Sequence, residues 1–141
     1  MSNKNKTIGL AAAMLLLTAI SCNSPKKMLC RSWDIVHIDF DAKQLGITPQ
    51  MKGVMVKQYE DSANFTFDKK GNYYLQVPEA RDTGTWTLSR KADSLYANAG
   101  TYKFTSKVLS LTKDTLSLDS KTSDGVNIKF VCRPIPTQYA K

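Results

Sequence analysis

The chain has 141 residues, 42% of them hydrophobic, with 20 basic against 12 acidic side chains and a formal net charge of +8. That length supports one small domain rather than two, and the apolar fraction excludes an intrinsically disordered chain. No basic run exceeds two residues and no stripe of aromatics interleaves with the cations, so the charge does not describe a nucleic-acid-binding surface.

Lys4 and Lys6 precede an apolar run of 13 residues, 8–20. Such a run is too short to span a bilayer and suits the core of a secretion signal. It ends in Ala19-Ile20-Ser21-Cys22. Small residues before a cysteine resemble the lipobox of bacterial lipoproteins. That resemblance implies a signal peptide over 1–21 and an acylated Cys22, carrying chains such as palmitate, as the new N-terminus. It also implies a cell-envelope location, as an outer-membrane lipoprotein on either membrane face. An ordinary signal peptide with an incidental Cys22 is the alternative. Residues 22–28 read as the acylated cysteine and an extended polar tether, with Pro25 and two lysines. Without Lys4 and Lys6 the chain keeps 18 basic and 12 acidic residues, read as a solvated basic surface, with attraction to anionic lipid headgroups or polyanions as the alternative.

The domain proper is expected over 29–135, with 136–141 as a tail. The first strand, about 31–40, places Trp33 and Ile35 on one parity and Val36, Ile38 and Phe40 on the other. A bulge near Ile35-Val36 reconciles the two. Thr48-Pro49 then opens a helix as N-cap and first helical residue. Its apolar stripe is Met51, Val54, Met55 and Tyr59.

Hairpins follow. Asp68 to Asn72 reads as a three-residue loop with Gly71 in the left-handed position, setting Phe67 opposite Tyr73 and Phe65 opposite Leu75. Residues 78–83 read as a polar connection. Trp86 and Leu88 alternate inward, opposite Ala97 and Leu95 across a turn near Lys91-Ala92. Tyr102 and Phe104 begin a long strand with a bulge near Lys107. A two-residue loop at Lys113-Asp114 then sets Leu111 opposite Leu116 and Leu109 opposite Leu118. Ser123-Asp124-Gly125 repeats the three-residue closure, with Leu118 opposite Phe130 and Leu116 opposite Cys132, and Pro134 and Pro136 end the pairing. Eight short alternating strands joined by hairpins predict an all-β, antiparallel up-and-down barrel with one short helix between strands 1 and 2. An open two-sheet sandwich is the alternative.

Trp33, Phe65-Thr-Phe-Asp68 with Gly71 and Tyr73, Gly84-Thr-Trp86, Leu111 to Leu118 and Phe130-Val-Cys-Arg133 together resemble the lipocalin-like domains of small bacterial lipoproteins, within the lipocalin and fatty-acid-binding group of barrels. The usual Gly-x-Trp of the first strand is Arg31-Ser-Trp33 here, so only the tryptophan matches. The resemblance implies that Arg133 stacks near Trp33 and that lipid or pigment ligands enter as a class.

The interior is expected to hold Phe65, Phe67, Tyr73, Leu75, Trp86, Leu88, Tyr102 and Phe104, either filling the barrel or lining a cavity. In fatty-acid-binding barrels the helical lid occupies the same place in the chain, so Met51 and Met55 are expected to gate such a cavity or simply to cover it. His37, Asp39 and Asp41 alternate on one strand face, which reads as a solvent-facing polar strip rather than a metal site. No cofactor and no enzymatic constellation is expected. The leading expectation is a membrane-anchored, non-enzymatic protein binding a small apolar ligand such as a fatty acid. The alternatives are a structural or assembly lipoprotein with a filled barrel, and a hydrolase inhibitor. Cys30 at the start of strand 1 and Cys132 near the end of strand 8 would meet at one rim, an even pair in an oxidising compartment, and so predict a disulfide. Their parities disagree, and two separate thiols are the alternative.

Overall fold

Eight strands, each antiparallel to the next, close into a barrel where the last pairs with the first. The computed structural model describes residues 24–136; residues 1–23, where the signal peptide and acylated Cys22 are expected, and 137–141 lie outside them. The elements in order are α1 (Pro25–Leu29), β1 (Ser32–Phe40), α2 (Pro49–Ser62), β2 (Asn64–Phe67), β3 (Asn72–Val77), β4 (Ala80–Leu88), β5 (Ser94–Ala99), β6 (Tyr102–Leu111), β7 (Leu116–Thr122) and β8 (Asn127–Pro134).

Alternation sets the register, because one face of each strand is buried. Phe67 pairs with Tyr73, Phe65 with Leu75, Trp86 with Ala97 and Leu88 with Leu95. Leu111 pairs with Leu116, Leu118 with Phe130 and Leu116 with Cys132. The ladder of β1 against β8 shifts between Ile35 and His37, and this bulge lets Trp33, Ile35, Ile38 and Phe40 all point inward. In β6 the shift falls between Val108 and Ser110, later than expected. Val108 therefore takes the place opposite Leu118, and Leu109 is turned out to 51% exposure. Two adjacent apolar residues compete for one inward site there, and parity alone does not choose between them. Residues 80–83 also differ from expectation. They extend β4 down to Ala80 opposite Val77, because β3 supplies ladder partners even where the β4 side chains are polar.

Helix α2 starts as expected, with Thr48 Oγ1 accepting from Met51 N at 3.2 Å. Its rotation differs. Lys52 Nζ donates to Asp39 Oδ1 at 2.7 Å, and Glu60 Oε1 lies 3.2 Å from His37 Nδ1. With these contacts on the outer face of β1, Met55, Val56 and Tyr59 pack against the core, while Met51 and Val54 are 53% and 60% exposed. The helix fills a seam. β1 and β2 pair over only three rungs, Ser32 to Asp34, and above them α2 bridges β1 to β3. Ala63 O accepts from Ile35 N, and Tyr59 Oη donates to Glu79 Oε1 at 2.6 Å.

The segment expected as an extended tether is instead helical from Pro25. Ser24 Oγ accepts from Lys27 N, and Pro25 occupies the first helical turn. This α1 plugs one barrel end with Leu29, whose carbonyl accepts from Trp33 Nε1 at 3.0 Å. The guanidinium over the Trp33 ring belongs to Arg31, with Cζ 5.5 Å from the centroid, and not to Arg133. Cys132 points inward, so its neighbour Arg133 must point outward, opposite Asp34.

The expected disulfide is absent: Cys30 and Cys132 are both free. β8 runs on past Cys132 to Pro134, which pairs with Trp33, so Cys132 lies inside the barrel opposite Ile35. Cys30 caps α1 below the rim, near Asp68 and Lys69.

Two measurements check this packing. A Cβ on Gly84 would sit 1.5 Å from the Asn98 carbonyl oxygen, whereas nothing lies within 4 Å of one on Gly53. Gly84→Ala should lose about 1–3 kcal/mol and Gly53→Ala should gain about 0.5–1 kcal/mol in urea unfolding. Opposite signs would contradict the β4–β5 approach. Burial pushes the Cys132 thiol up to about 12, with the Asp34 charge adding to the shift, and burial also raises Cys30. Unreduced native protein at pH 8 should therefore alkylate slowly at the half-buried Cys30 and at Cys132 only after unfolding. Resistance of both cysteines in the unfolded, unreduced chain would mean that they are bridged.

Candidate functional site

The interior divides into two layers. Toward the end sealed by α1, Phe67 stacks on Tyr73 at 5.2 Å and meets Trp86 edge-on at 5.6 Å. Trp86 Nε1 donates to the Asp68 carbonyl at 3.1 Å, and Lys26 of α1 lies over the Trp86 ring. Leu95, Leu116, Leu118 and Cys132 complete the layer, and Leu88 packs against it. A buried hydroxyl pair, Ser106 with Ser120 at 2.6 Å, satisfies itself across β6 and β7. The void remaining among these groups is about 10 Å³, at the lower limit for one water. This layer is full.

The other end holds an open cavity of about 420 Å³. Its floor is an aromatic cluster in which Phe130 meets Phe65 at 5.3 Å and Phe104 at 6.2 Å, both edge-on. Ile35, Ile38, Phe40, Leu75, Val77 and Ile128 form the strand walls, while α2 contributes Met55 and Tyr59 and the loop before it Leu45. Tyr102 lines the upper wall, and Thr101, Lys103, Thr122, Ser123 and Asp124 give the rim its polar atoms. Burial, then the hydrogen bond and charge of Glu79, raise the Tyr59 phenol, and burial with Glu79 and Asp82 raises that of Tyr102. Both remain neutral hydroxyls at the mouth.

The sequence-derived site residues therefore separate. Phe65, Leu75, Tyr102, Phe104 and Met55 line the cavity. Phe67, Tyr73, Trp86 and Leu88 belong to the filled layer, and Met51 faces solvent because the helix is rotated away. Residues not singled out as site residues, notably Tyr59, Ile128 and Phe130, complete the lining. Their inward parity was readable, but their height within the barrel was not. The three alternating residues of β1 do not converge on one point. His37 meets Glu60, Asp39 meets Lys52, and Asp41 Oδ1 accepts from Lys43 N in its own loop. Among the described residues no group of three or more His, Cys, Asp or Glu side chains is placed to hold a metal.

The two ends also differ in charge. The turns at the sealed end carry Lys69-Lys70, Arg90-Lys91 and Lys113, all exposed, and α1 adds exposed Lys26 and Lys27. The β3–β4, β5–β6 and β7–β8 turns around the mouth carry Glu79 and Asp124 and no cation.

No family model matches the chain, and no curated protein matches it. Among solved structures, the chain is similar to a DUF4847-family protein from Bacteroides vulgatus ATCC 8482. The two are 12% identical, with 73% of this chain and 92% of that one covered and a TM-score of 0.43. A likeness at that level carries no functional argument.

Proposed function

We propose that the protein is a lipid-anchored, non-enzymatic binding protein of the bacterial cell envelope that takes a small apolar ligand, of the fatty-acid class, into its half-open barrel. The anchor reading comes from Ala19-Ile20-Ser21-Cys22 and the apolar run before it. The lipocalin-like reading comes from the motifs around Trp33, Gly71 and Trp86. One observation carries the binding function: a cavity of about 420 Å³, apolar on its walls and floor and polar only at its rim. Ligand pockets typically run to ~300–1,000 Å³ with a few polar groups fixing orientation, so this one is sized for a small ligand or part of a longer chain. An acyl tail would descend past Met55 and Ile128 to rest on Phe65, Phe104 and Phe130. Its polar head would stay among the rim hydroxyls, Lys103 and Tyr59.

The test combines mass spectrometry of small molecules co-extracted with the protein from its native envelope and titration with a fluorescent fatty acid. Ile128→Trp should occlude space for at least two methylenes, worth about 0.8 kcal/mol each, and so weaken binding about tenfold. Tyr96→Trp, on the outer wall, should leave affinity unchanged. Failure of the wild type to bind, or equal binding by a folded Ile128→Trp, would reject the proposal.

A further inference from the structure

We infer that the sealed end of the barrel is a docking surface for anionic lipid headgroups, so that the protein sits on its membrane with the cavity mouth pointing away. This deepens the anchored reading above and rests on it for the position of the membrane.

Two independent observations meet at that end. The first is charge. Two of the three turns there are net basic, the third balances Lys113 against Asp114, and α1 adds two lysines beside them. Three carboxylates share the turns, but Asp68 accepts from Lys70 N and Asn72 N, and Asp93 accepts from the Ser89 and Ser94 hydroxyls. Both stay ionised, so with Asp114 three anions stand against seven cations there: Lys26, Lys27, Lys69, Lys70, Arg90, Lys91 and Lys113. Exposed Leu109 lies on the same lower wall, an apolar contact for the headgroup boundary. Around the mouth, Lys43, Arg81, Lys103 and Lys121 are matched by Asp41, Glu79, Asp82 and Asp124, so that end has no comparable excess of cations. The barrel is roughly 25 Å tall, from a ten-residue β6 rising ~3.3 Å per residue and tilted ~40°. The ends are therefore separated by more than two Debye lengths at physiological salt, and a charged surface attracts one end only.

The second observation is the chain path. Ser24, the N-cap of α1, lies at the sealed end, and Cys22 stands two residues before it. Two residues reach at most about 7 Å, so acyl chains on Cys22 enter a membrane beside this end and no other. The basic turns then lie within screening range of the lipid phosphates. An anchor that alone holds the protein loosely would gain an orientation from them.

The test uses the protein purified from its envelope and reconstituted in vesicles of phosphatidylcholine alone or mixed with phosphatidylglycerol. Lysines are labelled with a water-soluble amine reagent and quantified by mass spectrometry. On phosphatidylglycerol, Lys69, Lys70, Lys91 and Lys113 should be protected severalfold, while Lys43, Lys103 and Lys121 should label as in solution. The protection should fall on phosphatidylcholine and with added salt. Lys69→Glu/Lys70→Glu/Lys91→Glu, checked for fold by circular dichroism, should abolish the protection. Removing three cations, each worth about fivefold at an anionic surface, should also weaken lipid-dependent docking on the order of a hundredfold. Equal labelling of both ends on phosphatidylglycerol, or protection of the mouth lysines, would overturn the inference. The mass of the N-terminal peptide reports the anchor separately: an unacylated Cys22 would remove the anchored reading, whereas acylation without lysine protection would remove only this orientation.

Discussion

Trp33 is fully buried, and its indole nitrogen is satisfied by the Leu29 carbonyl, so a residue at the start of the barrel's first strand also fastens the plug beneath it. A buried indole N–H without a partner would cost about 1–3 kcal/mol, and this bond removes that penalty while fixing where α1 sits. With α1 in place, Arg31 covers the Trp33 ring and donates to the Lys113 carbonyl, tying the entrance of the barrel to the β6–β7 turn. The aromatic layer above can then pack to near fullness. What is left open is the far end, where no equivalent plug exists among the described residues and α2 forms part of the wall.

This asymmetry shapes the function proposed. A barrel of eight strands has an interior only slightly larger than its own side chains need. Here Phe67, Tyr73 and Trp86 spend that volume at one end, and smaller or aliphatic residues such as Ile38, Val77 and Ile128 leave it unfilled at the other. The two bulges, after Ile35 and Val108, keep both long strands facing inward through the whole height. Without them a strict alternation would turn one half of each strand to water.

Much of this was legible in the sequence, and the reasons are particular. The pairings Phe67 with Tyr73, Leu88 with Leu95 and Leu111 with Leu116 follow from period-two alternation and from loops whose length fixes the register. Gly71 and Gly125 adopt the positive φ that the three-residue closures require. Other features depend on information that alternation does not carry. Ser24-Pro25 is the same start signal as Thr48-Pro49, but α1 has only five residues and no periodicity to support it. The buried face of α2 is Met55, Val56 and Tyr59, with Lys52 and Glu60 lying over β1, and Met51 falls outside the lining. The Cys30–Cys132 pair fails on position and not on parity, because Cys30 caps α1 outside any strand while Cys132 lies inside the barrel opposite Ile35. Which inward residues fill space and which border it depends on their height in the barrel, a quantity set by shear and tilt.

In the function proposed, an acyl tail enters the open layer and stops on the phenylalanine floor above the filled one. A crystal structure with a fatty acid carrying a terminal bromine tests it most directly, since the anomalous signal locates the end of the tail. Bromine is expected against Phe65, Phe104 and Phe130. Bromine among Phe67, Tyr73 and Trp86, or bound only outside the barrel, would contradict it.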